Sequence, residues 1–342
     1  MGVWLFLCVV GYGALWVLLD TVKCNSDRDG RCCDGEEAGP CSLLMCQHLS
    51  ASVSLSGAAT RVLRTSAQAT RKVTSVQMED TKNQRVLLAL DFDHTIIDNN
   101  SDTYIYKLAP NHKIPDDLKL LYRKDNWTHY MGEVFKFLHE NGVTKEKIFN
   151  CLKEIRLTDG MKELLTGVPS DLTEFIIISD GNSVFIDHIL KCCGVRDLFS
   201  KVFTNPAQFD ENGCLHIQMY HLQDWCTLST KNLCKGEILA NYIKERENDN
   251  VTFSTIAYVG DGTNDFCPSL RLKECDVVFP RCGYNLLNYI PKMEAEKGMK
   301  IEADVCPWDS GKDVLERLLL CYDEANVLQV PKPRLKPPIQ KL

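Results

Sequence analysis

The stretch RVLLALDFDHT (Arg85–Thr95) determines the fold that we predict for this chain of 342 residues. An unbroken apolar run leads directly into two carboxylates, Asp91 and Asp93. Such a run is typical of a parallel strand that is covered on both faces. Open parallel sheets bind their ligands beyond the carboxyl ends of the strands. The stretch therefore predicts a buried strand that presents two acids at a binding edge.

Further apolar runs follow the same pattern, and helical patterns lie between them. The runs are FIIIS (Phe175–Ser179), KVFT (Lys201–Thr204), TIAYV (Thr255–Val259) and DVVF (Asp276–Phe279). One helix is predicted over Val184–Cys193, with Ser183 as its N-cap and Gly194 at its end. Another is predicted over Gly236–Arg246. This alternation predicts an α/β fold with a Rossmann-like parallel sheet and right-handed crossovers.

The intervals between these runs suggest how the chain is organised. Residues 102–168 carry helical patterns only and are too long for a crossover loop, so we expect an inserted helical cap. The core is predicted to comprise residues 84–101 and 169–325. The remaining parts are a hydrophobic signal or anchor (1–23), a flexible Ser/Thr/Ala/Gly-rich leader (24–83) and a Pro- and Lys-rich tail (326–342).

The uncharged apolar run over residues 3–19 bears on localisation. A helix of this length barely crosses a bilayer, and no basic residue precedes it as in a secretory signal. Membrane attachment through this run, a secretory signal and an incorrect chain start remain open. Basic residues after the run favour a cytosol-facing catalytic domain, with a secretory route as the alternative. The seventeen cysteines do not decide the compartment.

Charge and motif spacing indicate the kind of ligand. A net charge of -7 with no long Lys/Arg run argues against nucleic acid as a partner. On extended backbone, Asp91 and Asp93 would point to one side, where their like charges favour a bound Mg²⁺. The alternative is a solvated acidic turn. It is disfavoured because the pair directly follows an apolar strand.

Three more motifs are predicted at the same edge of the sheet. SDGNS (Ser179–Ser183) offers a hydroxyl and backbone amides for an anion, or simply a helix cap. Lys235 begins a helix, where its charge opposes the helix dipole; this favours pairing with a phosphoryl group, although lone lysines are usually solvated. GDGTND (Gly260–Asp265) brings two further carboxylates, or forms only a tight turn.

In this order the motifs DFDHT, SDGNS, the lysine of NLCKGEIL and GDGTND resemble the haloacid dehalogenase superfamily of phosphohydrolases. Longer stretches, including DFDHTIIDNNSDTYIYKLAP, YRKDNWTHYMGEVFKFL and YVGDGTNDFCP, are similar to the phosphoethanolamine/phosphocholine phosphatase and pyridoxal phosphate phosphatase family. The resemblance covers roughly Val86–Leu320. It implies a magnesium-dependent phosphoric monoester hydrolase with a haloacid dehalogenase-type core and a helical cap.

The resemblance also implies a role for each motif residue. Asp91 would attack phosphorus to form an aspartyl phosphate, and Asp93 would be the general acid and then the general base. Mg²⁺ would be held by the carboxylates of Asp91 and Asp261 and by the main-chain carbonyl of Asp93. Other roles are phosphoryl contacts for Ser179 and Lys235, substrate contacts for Asp102 and Asp180, and support from Thr95 and Asp265.

The implied substrate is a small phosphorylated metabolite, either pyridoxal 5'-phosphate or phosphoethanolamine/phosphocholine. The acids Asp102 and Asp180 suit a cationic tail on such a substrate. A phosphotransferase or mutase would share every motif, and a membrane-tethered binding protein without activity is the third alternative. One stretch departs from the family pattern: HLQDWCTLSTKNLC (His221–Cys234) lacks a neighbouring cysteine and histidine, so no metal or redox role is expected for it.

Overall fold

The computed structural model describes residues 84–123 and 125–324. The signal or anchor segment, the leader and the tail that we predict lie outside the described residues. Within the described part of the chain, no helix is long and apolar enough to cross a membrane.

Eight strands are present in the described residues. They are β1 (Gln84–Leu90), β2 (Thr173–Asn182), β3 (Phe199–Asn205), β4 (Ala207–Phe209), β5 (Leu215–Ile217), β6 (Thr252–Gly260), β7 (Val277–Pro280) and β8 (Asp304–Val305). Six of them form a parallel sheet in the order β3-β2-β1-β6-β7-β8, and β4 pairs with β5 as an antiparallel hairpin. The predicted α/β parallel sheet is confirmed. The hairpin and β8 were not predicted because two or three residues carry no readable periodicity.

Helices connect these strands. They are α1 (Ser101–Tyr104), α2 (Asp116–Lys119), α3 (Trp127–Glu140), α4 (Lys145–Leu152), α5 (Met161–Gly167), α6 (Ser183–Cys193), α7 (Lys235–Asn248), α8 (Phe266–Ser269), α9 (Asn285–Lys297) and α10 (Gly311–Glu324). Short 3-10 turns cover residues 105–108, 110–112, 196–198 and 263–265. The named elements between β1 and β2, α1 to α5 with two 3-10 turns, are all helical; the domain boundaries drawn from the sequence stay predictions.

Strand β1 lies in the middle of the sheet and is buried on both faces. Val86, Leu88 and Leu90 pack into one apolar cluster, which includes residues of α3, α6 and α10. Leu87 and Ala89 pack into a second cluster on the other face, with residues of α7 and α9. Each fully buried large aliphatic side chain contributes roughly 1.5–3 kcal/mol. This two-sided burial explains why β1 is apolar at every position from Val86 to Leu90 and does not alternate.

The start of α6 differs from the sequence prediction by one residue. Strand β2 continues to Asn182, whose side chain accepts a hydrogen bond from the backbone amide of Phe185 (3.0 Å) and caps the helix. Ser183 is therefore the first helical residue, and the prediction of Ser183 as N-cap was wrong. Its hydroxyl instead accepts a hydrogen bond from the Ala207 amide (2.9 Å) and ties the hairpin to α6. Gly194 ends the helix with φ 71°, as predicted.

Candidate active site

A cavity of about 450 Å³ lies beyond the carboxyl ends of β1, β2 and β6. Its lining combines acids and amides from the three strand ends with aromatic side chains from the segment between β1 and β2. The lining includes Asp91, Asp93, His94, Tyr122, Trp127, Ser179, Asp180, Gly181, Asp261 and Asn264. Ligands of open α/β sheets bind at this edge. The structure thus brings the acids of the three predicted strand-end motifs into one cavity.

Asp91 is paired with a buried lysine. The Nζ atom of Lys235 lies 2.7 Å from Asp91 Oδ2 and 2.7 Å from Asp265 Oδ1. Lys235 is fully buried, and Asp91 is only 6% exposed. Burial raises the pKa of Asp91, while the charge of Lys235 opposes that rise; the pKa of Lys235 is itself raised because Asp265 and Asp91 outweigh its burial. The lysine at the start of α7 thus pairs with two acids of the sheet edge, and the phosphoryl contact that we predict for it stays a prediction.

Asp265 has little capacity left for a metal ion. Its Oδ1 accepts hydrogen bonds from Lys235 and from the Tyr258 hydroxyl (2.8 Å). Its Oδ2 accepts hydrogen bonds from the backbone amides of Asp261 (3.0 Å) and Gly262 (2.9 Å). Carboxylate oxygens of Asp91, Asp261 and Asp265 lie within 4.8 Å of one another. Because Asp265 is already fully bonded, Asp91 and Asp261 are the carboxylates available to a cation.

The chemistry of these donors fits a hard divalent cation. Burial and the charge of Asp265 raise the pKa of Asp261 to about 7. Thr95, which is buried, directs its hydroxyl towards Asp261 Oδ1 (3.5 Å). Closely spaced carboxylates have raised pKa values because their negative charges are not fully offset, and a bound cation would offset them. Mg²⁺ prefers oxygen ligands of this kind. Asp91 and Asp261 are therefore suitable Mg²⁺ ligands.

Asp93 lies on a turn and not on the extended backbone that we predicted. Backbone amides of Thr95 and Ile96 donate to the Phe92 carbonyl (3.3 and 2.9 Å), and His94 has φ 56°. The turn still leaves Asp91 and Asp93 in the same cavity. Asp93 Oδ1 accepts a hydrogen bond from the Ser101 amide (2.8 Å), and burial raises the pKa of Asp93 to about 6.

The end of β2 contributes Ser179, Asp180 and Gly181 to the cavity lining. Ser179 is buried, and its hydroxyl oxygen accepts a hydrogen bond from the Gly181 amide (3.1 Å). Asp180 Oδ2 accepts a hydrogen bond from the Asn264 side-chain amide (2.6 Å), which joins the ends of β2 and β6. A side chain at Gly181 would approach the Ser179 hydroxyl to 3.3 Å, so glycine keeps this approach to the cavity open. Asn264 was not predicted as a site residue.

Asp102, which we predicted as a substrate contact, is not among the residues that line the cavity. It is 1% exposed, and its oxygens accept hydrogen bonds from Trp127 Nε1 (2.9 Å) and from the Asn182 side-chain amide (3.0 Å). Its carboxylate therefore lies behind Trp127 and fixes that ring. Burial, followed by the charge of Asp93, raises the pKa of Asp102 to about 7. The structure supports a positioning role for Asp102 in place of direct substrate contact.

Two aromatic residues and one histidine of the cavity were missed from the sequence. Tyr122 and Trp127 meet edge to face, with ring centroids 5.7 Å apart, and both pack against Tyr130. Nothing in the sequence distinguished these rings from ordinary core aromatics. His94, inside the DFDHT motif, packs against Tyr284 (5.4 Å), and in the described residues its buried Nδ1 has no hydrogen-bond partner. The position of His94 within the motif, directly after Asp93 and before Thr95, was the signal that could have identified it as a cavity residue.

Most of this chain is similar in sequence to known phosphatases. A family model described as Putative Phosphatase matches residues 86–322. Pyridoxal phosphate phosphatase PHOSPHO2 of Homo sapiens is 42% identical over 236 residues, which cover 68% of this chain and 97% of that relative. Phosphoethanolamine/phosphocholine phosphatase of Homo sapiens is 38% identical over 232 residues, covering 67% and 86%. A phosphoserine phosphatase solved as a phospho-aspartyl intermediate analogue is 17% identical, with a TM-score of 0.45, and covers 68% and 99%.

Proposed function

The chain belongs to this phosphatase family and is a phosphoric monoester hydrolase for small phosphate monoesters, and on that premise we propose that it works through a magnesium-dependent aspartyl phosphate on Asp91. The observation that carries the proposal is the position of Asp91. It lines the cavity and is held 2.7 Å from the buried Lys235. A carboxylate that is fixed, desolvated and next to a permanent positive charge is suited to attack an anionic phosphoryl group.

In the proposed first step, an Asp91 carboxylate oxygen forms a bond to phosphorus as the ester P–O bond breaks. Asp93 donates its proton to the departing oxygen, and the raised pKa of about 6 favours the protonated acid that this requires. In the second step a water oxygen attacks phosphorus, Asp93 takes the water proton, and the Asp91–phosphorus bond breaks. Inorganic phosphate and the original carboxylate result. Two easier displacements replace one difficult displacement.

The surrounding residues neutralise and orient the phosphoryl group. Mg²⁺, held by Asp91, Asp261 and the Asp93 main-chain carbonyl, would supply positive charge to the phosphoryl oxygens. Lys235 reduces the repulsion between Asp91 and the substrate dianion. The Ser179 hydroxyl, which lines the cavity, would donate a hydrogen bond to a phosphoryl oxygen. Thr95 and Asp265 hold Asp261 and Lys235 in position through the contacts described above.

The rest of the cavity favours a substrate with a flat or cationic group beyond the phosphate. Tyr122 and Trp127 offer ring faces and edges for stacking or cation–π contact. Asp180 adds negative charge, although burial raises its pKa. These features suit pyridoxal 5'-phosphate, phosphoethanolamine and phosphocholine. We place pyridoxal 5'-phosphate first, because its ring can stack on one of these two aromatic rings and the relative named for it has the higher identity of the two human proteins compared.

Phosphate release in water tests the proposal. The full chain is assayed with each of the three esters, with Mg²⁺ and after chelation, without any acceptor alcohol. We expect Mg²⁺-dependent phosphate release that is lost in Asp91→Asn but retained in Asp171→Asn, whose side chain is exposed and lies outside the cavity lining. Turnover only with an added acceptor would identify a phosphotransferase. Undiminished activity of Asp91→Asn, with deamidation excluded by mass spectrometry, would contradict the assignment of the nucleophile.

A further inference from the structure

Three cysteines from two separate parts of the chain, Cys226, Cys234 and Cys267, lie close together in the folded protein. Cys226 and Cys234 belong to the connection between β5 and α7, and Cys267 belongs to α8. The Sγ atom of Cys267 lies 3.5 Å from that of Cys226 and 3.8 Å from that of Cys234. All three sulfur atoms lie within 4.8 Å of one another. The sequence spacing alone did not reveal the group, because Cys267 is 33 residues from Cys234 along the chain.

These distances correspond to a known coordination geometry. Zinc binds thiolate sulfur at about 2.3 Å in a tetrahedral arrangement, which places neighbouring sulfur atoms about 3.8 Å apart. The two measured separations, 3.5 and 3.8 Å, are close to that edge length. A disulfide requires sulfur atoms only about 2.05 Å apart and joins two of them, which would leave the third thiol unused. Three converging thiols therefore fit one metal ion better than one disulfide.

A fourth oxygen donor lies beside the sulfur atoms. The Ser229 hydroxyl is 3.5 Å from Cys226 Sγ and also interacts with the Cys267 thiol. Ser229 follows Cys226 by three residues, a spacing at which short loops return to the same metal ion. His221 is not available through Nε2, which accepts a hydrogen bond from the Cys234 amide (3.0 Å). Ser229, or a water molecule beside it, is the fourth ligand that the geometry allows.

The loop that carries two of these cysteines is held mainly by side chains near its end, where Leu233 is 2% exposed and the Asn232 side-chain amide donates to Asn205 Oδ1 (2.8 Å) and Thr128 Oγ1 (3.0 Å). Residues 218–234 contain no helix or strand in the described structure. Leu222 and Trp225 are 73% and 55% exposed, so the loop buries little apolar surface through them. Its shape depends on the buried Gln223, which accepts a hydrogen bond from the Cys226 amide (2.8 Å) and donates one to the Thr230 carbonyl (2.6 Å). A loop of this kind gains stability from a structural metal ion.

We propose that Cys226, Cys234 and Cys267, with Ser229 or water as the fourth ligand, bind one structural Zn²⁺ ion. The ion replaces the thiol protons, and no oxidation is involved. This proposal departs from our sequence-based expectation of no metal role for the stretch His221–Cys234. The site lies next to the catalytic residues in sequence, since Cys234 precedes Lys235 and Cys267 follows Asp265 by two positions. Zinc at this site would join α7 to α8 and hold the Lys235–Asp265 pair in place.

Metal content is the direct test. The full chain is purified under reducing conditions with zinc supplied, and bound zinc is measured by elemental mass spectrometry. We expect about one zinc ion more per chain in the original protein than in Cys226→Ser/Cys267→Ser. Cys275→Ser, which removes an exposed thiol, is the matched control and should retain the zinc. Zinc content that is equal in all three proteins would overturn the proposal, as would a Cys226–Cys267 disulfide found by peptide mapping after purification under reducing conditions.

A gain of affinity guards against variants that simply misfold. Ser229→Cys supplies a fourth thiolate and should bind zinc at least about tenfold more tightly than the original chain in a competition with a chromophoric chelator. Co²⁺ in place of zinc should give the absorption bands of a tetrahedral thiolate site, and these bands should strengthen in Ser229→Cys. Unchanged affinity together with no thiolate-to-cobalt absorption would overturn the proposal. Mg²⁺-dependent phosphate release is measured separately, so failure of the zinc site leaves the assignment of Asp91 intact.

Discussion

The sheet edge and the helical segment between β1 and β2 contribute to the same cavity in different ways. At the edge, Lys235 and Asp265 are fully buried, and each carboxylate oxygen of Asp265 accepts two hydrogen bonds. In the helical segment, Tyr122 is 49% exposed and makes ring contacts with Trp127 and Tyr130. Groups with fixed positions suit bond making and breaking, whereas exposed rings suit the recognition of a variable tail.

This difference predicts which kinetic constant a mutation in each region should change. Changes at the sheet edge should reduce kcat and, where a buried charge loses its partner, stability as well. Changes in the helical segment should affect KM and substrate preference and leave the chemical step largely intact. Asp102 connects the two regions, because it accepts hydrogen bonds from Trp127 of the segment and from Asn182 at the end of β2.

Removing the charge of Lys235 should have the largest effect. Lys235→Met leaves Asp91 and Asp265 buried without their cation, which costs about 3–5 kcal/mol of unfolding free energy. The loss of a preorganised positive group should also lower kcat by at least about 100-fold. Urea unfolding and steady-state kinetics measure the two effects. Lys201→Met removes an exposed pair with Glu245 and should cost no more than about 1 kcal/mol; equal losses in both variants would break the comparison.

Replacing the general acid should come next. Asp93→Asn cannot transfer a proton, so kcat for an alkyl phosphate should fall by about 10²–10⁴. Formation of the phosphoenzyme from para-nitrophenyl phosphate should be much less affected, because that leaving group needs no proton. Single-turnover measurements on the two substrates provide the comparison. Asp171→Asn removes an exposed acid outside the cavity lining and serves as the control. Equal slowing of the first step with both leaving groups would exclude Asp93 as the acid.

Asp102 predicts a pH effect on stability. Burial raises its pKa from the ordinary 3.8 to about 7, so its stabilising contribution is full below 3.8 and is lost as the pH rises through 7. Asp102→Asn stays neutral, and its stability relative to the original protein should therefore improve between those pH values. Urea midpoints for both proteins across this range measure the difference. Parallel curves would show that Asp102 keeps an ordinary pKa in the folded protein.

Truncating an exposed ring should have the smallest effect. Tyr122→Ala removes one aromatic contact worth about 1 kcal/mol, so KM for pyridoxal 5'-phosphate should rise about fivefold while kcat stays unchanged. Leu120→Ala, at a residue 71% exposed, is the control and should leave both constants unaltered. Steady-state kinetics distinguish the two constants. A loss confined to kcat would place Tyr122 with the residues of the sheet edge.

The sequence predicted the sheet edge well because its information is local. The apolar run before Asp91, the glycines beside Asp261 and the lysine that begins α7 each carry a signal within a few residues. Long-range contacts carried no such signal. The burial of Asp102 behind Trp127 depends on how α3 packs, and the turn at His94 replaced the extended backbone that alternation suggested. The meeting of Cys267 with Cys226 likewise depends on the folded chain alone.

The phosphoryl acceptor is the centre of the account, and a trapping experiment tests it most directly. Asp93→Asn is mixed with para-nitrophenyl phosphate and Mg²⁺ and quenched in acid, because loss of the general base should slow hydrolysis of the intermediate. Peptide mass spectrometry should then find one phosphoryl group per chain, located on Asp91, and none when Asp91→Asn is combined with this variant. A phosphoryl group on another residue, or turnover without any phosphoenzyme, would contradict the account.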